Sequence, residues 1–288
     1  MQGRIIKGIA GFYYVESEGI TYECKVRGIL RNRSEKPLVG DLVEFEVLEN
    51  QVEKGNIIKL LPRHSCLTRP EVANVDQALV VFASTEPAPD IHLLNRFLIS
   101  MESSDIPAVI CMNKEDLLHN DEFRNIYQGC GYKFLITSVQ DRIGIDAVRD
   151  TLKGRVTTLA GPSGVGKSSL INLLLGRDAM ETGVISEKIK RGKNTTRHSE
   201  LLSLGDDTFI LDTPGFGACD IPNIEKEDLE LYFPEIKKYF GKCRFTGCSH
   251  INEPDCVVKD ALEAGEINKS RYDDYVTFYQ EIKNRRKW

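Results

Sequence analysis

The chain has 288 residues and a net charge of −5, with 38 Lys and Arg against 43 Asp and Glu. This length allows two or three domains, and the charge argues against a surface coated with basic residues for nucleic acid, although it permits local basic patches. No apolar run of about 20 residues is present, so we expect no membrane span. The N-terminus lacks the apolar core of a signal peptide, so we expect a cytoplasmic protein with reduced cysteines.

Residues 1–64 are predicted to form an N-terminal β-barrel of the OB type. Runs rich in β-forming residues occur at 12–15, 20–26 and 41–48, and apolar residues alternate with polar ones in the third run. Turn-forming residues separate these runs, at positions 18–19, 37, 39–41 and 54–56.

Basic residues cluster between two of these predicted strands, with few acidic residues among them: Lys25, Arg27, Arg31, Arg33 and Lys36. A run of charge is most often a solvated loop. Basic loops on OB barrels are also where oligonucleotides bind. This segment alone leaves both interpretations open, and its five basic residues are the candidates for RNA contact.

Residues 65–220 are predicted to form an α/β domain around a parallel sheet. Apolar runs typical of buried strands occur at residues 77–82, 107–112, 132–136, 155–160 and 208–211. Helical spacing of apolar residues predicts helices at residues 91–101, 123–126, 144–152 and 169–175. The polar motifs of this region follow the carboxyl ends of predicted strands, where ligands bind in open α/β sheets.

A phosphate-binding loop is predicted at residues 161–168, which match G-x-x-x-x-G-K-[ST] without a gap between a predicted strand and a predicted helix. The backbone N–H groups of such a loop and the helix N-terminus bind phosphate oxygens. We expect Lys167 to reach the β and γ phosphates and Ser168 to hold Mg²⁺. The predicted phosphate-binding residues are Gly161, Pro162, Ser163, Gly164, Val165, Gly166, Lys167, Ser168 and Ser169.

A second motif follows another predicted strand and is suited to guanine: Asn113, Lys114, Glu115 and Asp116. The Asp116 carboxylate would accept hydrogen bonds from the ring N–H and the exocyclic amine of guanine. Adenine would leave it unpaired, at a cost of roughly 1–3 kcal/mol or more. Thr137 and Ser138 are predicted to support the base from the next strand, and this preference argues against an ATP-dependent enzyme.

The third motif, from Asp212 to Gly215, follows the last predicted strand. We expect Asp212 on the Mg²⁺ side of the nucleotide and the Gly215 N–H at the γ-phosphate. Residues 191–198 have no regular period and are predicted to offer Thr195 or Thr196 to Mg²⁺. Taken singly, the second and third motifs also fit a helix cap or a turn. Together with the phosphate loop they indicate an Mg²⁺-dependent GTPase.

The order of these motifs is unusual, because the base motif at Asn113 precedes the phosphate loop. In an ordinary GTPase it comes last. The sequence therefore predicts a circularly permuted G domain, which a parallel sheet tolerates because domain termini often lie close together.

Residues 221–288 are predicted to form a mostly helical module that binds one structural Zn²⁺ through Cys243, Cys248, His250 and Cys256. The alternative is four unrelated core residues. The segment has too little apolar content for a core of its own, so the metal is expected to hold it together. A C-terminal helix is predicted from Leu262 to Trp288.

Over nearly the whole chain, these features resemble the circularly permuted ribosome-biogenesis GTPases known as ribosome small-subunit-dependent GTPase A. The resemblance rests on the β-barrel, the three nucleotide motifs, residues 194–197 and the Cys/His cluster. It implies hydrolysis of GTP to GDP and phosphate during late maturation of the small (30S) ribosomal subunit, stimulated by that subunit. The implied partners are the subunit and its rRNA. We further expect a monomer.

The predicted catalytic set comes from the phosphate loop and the segments expected around the γ-phosphate: Lys167, Ser168, Thr196, His198, Asp212 and Gly215. Phe216 stands where a water-positioning glutamine often stands, and His198 is the remaining candidate for that role. Phe216 therefore keeps an alternative open, a GTP-gated RNA-binding assembly scaffold with incidental turnover.

Overall fold

The structure, a computed structural model, describes residues 1–27, 36–49, 51–68, 70–176, 199–212 and 220–285. The chain divides into two compact units that each combine segments from distant parts of the sequence. The first unit comprises Met1–Leu79, Ile145–Ala160 and Lys167–Phe216. The second comprises Val80–Gly144, Gly161–Gly166 and Gly217–Trp288. The domain boundaries expected at residues 64 and 220 stay a prediction.

The first unit contains a closed five-stranded barrel. Its strands are β1 (Gln2–Ile9), β2 (Phe12–Ser17), β3 (Ile20–Val26), β4 (Leu42–Val47) and β5 (Lys54–Leu60). They pair in the order β1-β2-β3-β5-β4, and β4 returns to β1 to close the ring. Alternate side chains fill the barrel, among them Ile5, Val15, Val43 and Phe45, all fully buried. This is the predicted OB-type barrel.

The prediction of a turn at residues 54–56 is wrong. These residues open β5, where Gly55 pairs with Cys24 of β3 on one side and with Val47 of β4 on the other. A side chain on Gly55 would collide with the Glu46 carbonyl. The glycine therefore marks a close approach inside the barrel instead of a turn.

The first unit also holds a two-stranded sheet and part of an α/β layer. Its further elements are β6 (Cys66–Thr68), β7 (Glu71–Ala73), β11 (Val156–Ala160), β12 (Glu200–Gly205), β13 (Thr208–Asp212), α3 (Ile145–Leu152) and α4 (Lys167–Leu175). β11 and β13 run parallel, as predicted. β12 is antiparallel to β13 on one side and pairs with β1 on the other. The sheet is therefore mixed, because β12 enters by a tight hairpin that the sequence analysis did not predict.

The second unit contains the strands that carry the base motif and a helical region. Strand β8 (Gln77–Ala83) enters it from the first unit and is followed by α1 (Ile91–Glu102), β9 (Ala108–Asn113), α2 (Asp121–Tyr127) and β10 (Lys133–Ile136). β9 and β10 are parallel. A 3₁₀ helix (Lys226–Tyr232) then leads to α5 (Pro234–Lys237), α6 (Val257–Glu263) and α7 (Lys269–Asn284).

The predicted C-terminal helix is shorter than expected. It begins at Lys269, where the Asn268 side chain accepts a hydrogen bond from the Ser270 N–H and caps the helix. Leu262 belongs to the preceding helix, α6, and the last three residues lie outside the described part of the chain. No helix in the described ranges is long and apolar enough to cross a membrane.

Candidate functional site

The base motif lies on a tight turn at the carboxyl end of β9. Asn113 is the last residue of the strand, and Lys114 adopts a left-handed backbone conformation with φ of +64°. The Leu117 N–H donates to the Lys114 carbonyl at 3.0 Å, which closes a turn over residues 114–117. Asp116 occupies the third position of this turn, so the backbone sets where its carboxylate projects.

Asn113 links the base motif to the phosphate loop. Its side chain is 2% exposed, and its Nδ2 donates to the Val165 carbonyl at 2.9 Å. Its Oδ1 accepts from the Thr137 hydroxyl at 3.1 Å. Both ends of one buried amide are therefore occupied, and the ends of two strands and the phosphate loop are held together. The Thr137 hydroxyl contacts Asn113, and its predicted support of the base stays a prediction.

Ser138 orients the carboxylate of Asp116. The Ser138 hydroxyl donates to Asp116 Oδ1 at 2.6 Å and accepts from the Asp141 N–H at 3.0 Å. Because its oxygen accepts from a backbone N–H, the hydroxyl proton is directed at Asp116. Ser138 is fully buried, whereas Asp116 is exposed. Ser138 therefore holds the Asp116 carboxylate in place on its buried side, while the exposed side of the carboxylate is accessible to a ligand.

The two middle residues of the motif make contacts beside the turn. The Lys114 ammonium donates to the Glu86 carbonyl, and Glu115 contacts the imidazole of His119. The hydrogen bond that His119 donates to Glu115, together with the charge of Asp121, raises the pKa of His119 above its usual value. His119 was not singled out by the sequence, because no motif marks it.

Three glycines give the phosphate loop its shape. Gly161, Gly164 and Gly166 have φ of +131°, +83° and +94°, values that residues with a side chain rarely adopt. A side chain on Gly161 would collide with the Val81 carbonyl, and one on Gly166 with the Asn113 amide. Val165 between them is buried, while Ser163 and Gly164 are exposed and Pro162 is half-buried.

Lys167, Ser168 and Ser169 form the first turn of α4, immediately after the loop. They are half-buried, and the helix is anchored behind them by buried Leu170, Ile171 and Leu174. At its other end the Arg149 guanidinium donates to the carbonyls of Leu173 and Leu174 at 3.0 and 3.1 Å. This satisfies carbonyls that a helix end leaves open.

The residues expected around the γ-phosphate are only partly described. Asp212 is the last residue of β13, which pairs in parallel with β11, the strand that precedes the phosphate loop. Thr195, Thr196, His198, Gly215 and Phe216 lie outside the described residues. Their predicted roles stay predictions.

Three of the five basic residues proposed to contact RNA lie in described parts of the barrel. The Lys25 ammonium lies 4.9 Å from the centre of the Phe12 ring, and Arg27 and Lys36 pair with Glu46 and Glu71 at 3.3 and 3.9 Å. The side chains of Arg27 and Lys36 are 58% and 77% exposed, so their charges face solvent. Arg31 and Arg33 lie outside the described residues.

The four predicted metal ligands converge on one point. Cys256 Sγ lies 3.8 Å from the Sγ atoms of both Cys243 and Cys248, and His250 Nδ1 lies 3.5 Å from Cys243 Sγ and 3.3 Å from Cys256 Sγ. A tetrahedral ion with metal–sulfur bonds of about 2.3 Å and metal–nitrogen bonds of about 2.0 Å requires about 3.8 Å between sulfurs and about 3.5 Å between sulfur and nitrogen. The cluster can therefore hold a metal ion and is compatible with zinc.

The surroundings of the cluster fix its ligands. His250 Nε2 lies 2.8 Å from Glu230 Oε2 on the 3₁₀ helix, which leaves Nδ1 for the metal. The hydroxyls of Tyr272 and Tyr275 on α7 donate to the carbonyls of His250 and Ser249 at 2.7 and 3.0 Å. Sequence analysis missed Glu230, since it lies 20 residues from His250 and belongs to no spacing pattern.

Comparison with known proteins gives matches over the whole chain. A family model described as RsgA GTPase matches residues 60–222, and one described as RsgA N-terminal domain matches residues 2–59. A protein of Agathobacter rectalis named "Small ribosomal subunit biogenesis GTPase RsgA" is 52% identical, and the match covers 100% of both chains. A protein with the same name from Alkaliphilus metalliredigens is 47% identical over 100% of this chain and 99% of its own.

Two solved structures are similar along their full length. YloQ, described as a circularly permuted GTPase, has a TM-score of 0.83 at 34% identity and covers 100% of this chain and 96% of its own. YjeQ from Thermotoga maritima has a TM-score of 0.82 at 36% identity and covers 99% of each chain. The permuted order expected from the motifs is thus the order of a known fold.

Proposed function

Because the chain belongs to the RsgA GTPase family and is a GTP-hydrolysing enzyme, we propose that it acts in late maturation of the small (30S) ribosomal subunit. We propose further that the subunit stimulates its turnover. The observation that best supports the proposed binding of GTP is the buried Asn113 amide, which joins the base motif to the phosphate loop. One ligand with a base and a phosphate chain accounts for that connection.

In this proposal Asp116 recognises guanine, with its carboxylate oriented by Ser138 and backed by Thr137, while Lys114 and Glu115 flank the base. The backbone N–H groups of residues 161–166 bind the phosphates, and Ser169 supports the start of α4. Lys167 neutralises charge that develops on the β and γ phosphates. This arrangement would act mainly by positioning GTP and by stabilising the charge on its phosphates, because the reaction requires little covalent chemistry from the protein.

We propose that Ser168, Asp212 and Thr196 hold the Mg²⁺ that accompanies GTP. Ser168 lies in the first turn of α4, and Asp212 is the last residue of β13, which is parallel to β11. Their hydroxyl and carboxylate are oxygen ligands of the kind that Mg²⁺ prefers. The ion would supply positive charge that offsets the negative charge of the β and γ phosphates. Gly215 would meet the γ-phosphate through its N–H, and His198 would orient the attacking water.

We propose that Cys243, Cys248, His250 and Cys256 bind one structural Zn²⁺. Sulfur and nitrogen spacings that match a tetrahedral ion support this assignment, and so does the carboxylate behind His250. With four protein ligands the site is closed, so the ion would hold the loop in place and take no part in hydrolysis.

The remaining expectations complete the proposal. The enzyme works in the cytoplasm as a monomer, with domains at residues 1–64, 65–220 and 221–288. Ribosomal RNA is bound by the basic surface of the barrel, with Lys25, Arg27, Arg31, Arg33 and Lys36 as contacts. Two of the charges on this surface are well exposed, which is what phosphate binding requires.

The test is GTP turnover by the purified protein with and without purified small subunits, at low salt and with saturating GTP and Mg²⁺. We expect intrinsic rates of about 10⁻⁴ to 10⁻² s⁻¹ and stimulation of roughly 10³-fold. Lys167→Ala should abolish most of the turnover in both conditions, whereas Lys153→Ala, an exposed lysine, should not. Turnover that is unaffected by subunits would favour the GTP-gated scaffold instead.

A further inference from the structure

The turn that carries Asp116 has an unusual support in the second unit. The carbonyl of Lys114 accepts two hydrogen bonds, one from the Leu117 N–H that closes the turn and one at 2.7 Å from the hydroxyl of Ser84. Ser84 follows directly after β8 and is 1% exposed. No nucleotide motif includes it.

The position of Ser84 is fixed by hydrogen bonds of its own backbone. Its N–H donates to the Asn113 carbonyl at 2.8 Å, and its carbonyl accepts from Asn120 Nδ2 at 3.4 Å. Asn120 also caps α2, since its side chain accepts from the Phe123 N–H at 3.0 Å. The residues on both sides of the base turn are therefore tied to Ser84.

The left-handed conformation of Lys114 gives this bond a specific consequence. A residue with a side chain is strained at φ of +64° and keeps that conformation only when its surroundings hold it. The Ser84 hydroxyl holds the carbonyl of the strained residue, and that carbonyl also closes the turn. Loss of the hydroxyl would leave the turn free to relax toward a right-handed conformation and to carry Asp116 away from the position fixed by Ser138.

We propose that Ser84 is a positioning residue for guanine recognition, acting through the Lys114 carbonyl on the carboxylate of Asp116. This rests on the proposed role of Asp116 as the reader of guanine. Ser84 touches no part of the nucleotide in this proposal, so its effect is on discrimination between bases and not on the chemical step. Phosphate binding by residues 161–168 is left intact.

The experiment compares the dissociation constants of GDP and inosine diphosphate, measured by titration calorimetry on the full chain with Mg²⁺. Inosine diphosphate lacks the exocyclic amine that Asp116 is proposed to bind. We expect Ser84→Ala to narrow the preference for GDP by roughly tenfold, about the worth of one hydrogen bond to a charged group. Ser103→Ala is the control, because it also removes a serine hydroxyl that donates to a backbone carbonyl, that of Ser100 at the end of α1.

Two further variants make the result decisive. Ser84→Cys keeps the size of the side chain with a weak donor, so it should narrow the preference even if Ser84→Ala fails to fold. In a background of Asp116→Ala, Ser84→Ala should have no further effect on the preference, because both act on one contact. Equal weakening of both nucleotides, or an unchanged preference in Ser84→Cys, would overturn the proposal for Ser84. An unchanged preference in Asp116→Ala would instead overturn the proposed role of Asp116.

Discussion

At the scale of single residues, the proposed recognition of the base depends on the carboxylate of Asp116, and different strands supply this carboxylate and the group that contacts it. Asp116 comes from the turn after β9, and Ser138, which donates to it, comes from the segment after β10. A carboxylate accepts hydrogen bonds and donates none. The complementarity that we propose between Asp116 and the two neighbouring donors of guanine therefore depends on both the charge and the placement of the carboxylate.

The first prediction is that Asp116→Asn shifts base preference from guanine to xanthine. An amide donates where the carboxylate only accepts, so it matches the carbonyl that xanthine has in place of the amine. We expect GTP to bind roughly tenfold or more weakly and xanthosine triphosphate to bind better. Competition against a fluorescent nucleotide measures both. Asp150→Asn, an exposed change on α3, should alter neither; a GTP preference that survives in Asp116→Asn would contradict the assignment.

The second prediction concerns pH at His119, which is paired with Glu115 and Asp121. Its pKa is raised, so the favourable pairing is fully present below the usual pKa of 6.5 and is lost as pH rises through the raised value. An NMR titration should give a midpoint above 6.5. Glu115→Gln should lower that midpoint, because the largest contribution comes from Glu115; an equal midpoint in the two proteins would show that the pairing is absent in solution.

At the scale of elements, α7 is held to α1 by a buried polar network in the second unit. Asn95 on α1 is fully buried, donates to Asp274 at 2.5 Å and accepts from Arg271 at 2.5 Å and from the Tyr127 hydroxyl at 2.9 Å. Arg271 also forms a bidentate pair with Glu235. Burial works against the charged guanidinium, but Glu235, together with Tyr132 and Cys130, outweighs burial and raises the pKa of Arg271.

The third prediction is that Arg271→Met strongly destabilises the protein, because it leaves the buried Glu235 carboxylate without its cationic partner. We expect a loss of about 3–5 kcal/mol in the free energy of unfolding, measured with urea. The double variant Arg271→Met with Glu235→Leu should recover most of this loss, since it removes both charges. If the double variant were as unstable as the single one, the lost packing of Arg271 on Phe233 would be the cause instead.

The fourth prediction concerns the metal loop. Purified protein should contain about one Zn²⁺ per chain, and Cys248→Ser should remove most of it. Glu230→Ala should weaken zinc binding by roughly 10- to 100-fold in a chelator competition, because His250 loses the partner that fixes its ring. The control is Glu263→Ala, an exposed change on α6. GTP binding should be retained in all three variants, and protein free of zinc without exposure to chelator would contradict the assignment.

At the scale of the whole molecule, the enzyme is expected to depend on a partner for its rate. The barrel offers a matched pair of positions for testing where that partner binds. Arg27 and Lys59 lie on the same barrel, pair with glutamates at the same 3.3 Å and have side chains that are 58% and 56% exposed. They differ in that only Arg27 adjoins the basic segment.

The fifth prediction is that Arg27→Glu reduces stimulation of turnover by small subunits, whereas Lys59→Glu leaves it nearly unchanged. Adding Arg31→Glu and Arg33→Glu should reduce stimulation further and weaken its salt dependence by about one unit of slope for each lost phosphate contact. The unstimulated rate should stay constant in all variants, because none of these residues belongs to the nucleotide site. Equal losses for Arg27→Glu and Lys59→Glu would place the contact elsewhere.

Much of the fold was predictable because its cues are local. β-Forming residues predicted β3 with its observed ends, and continuous apolar runs predicted β8 and β9, which are buried on both faces. These local sequence cues failed where pairing between strands determines the structure. Residues 54–56 look like a turn in isolation but become a strand between β3 and β4, and β12 is specified by its hairpin with β13.

The sequence by itself determined the chemistry of this protein, because a phosphate loop, a guanine motif and a metal-ligand set each need particular residue types at short spacing. It also determined the permuted order, which is a property of the chain. Only the tertiary structure decided which groups orient these motifs: Ser138 beneath Asp116, Asn113 against the phosphate loop, Ser84 at the base turn and Glu230 behind His250. Each of these contacts joins residues that are distant in sequence. A single hydroxyl, amide or carboxylate forms no sequence pattern, so it cannot be identified before the chain has folded.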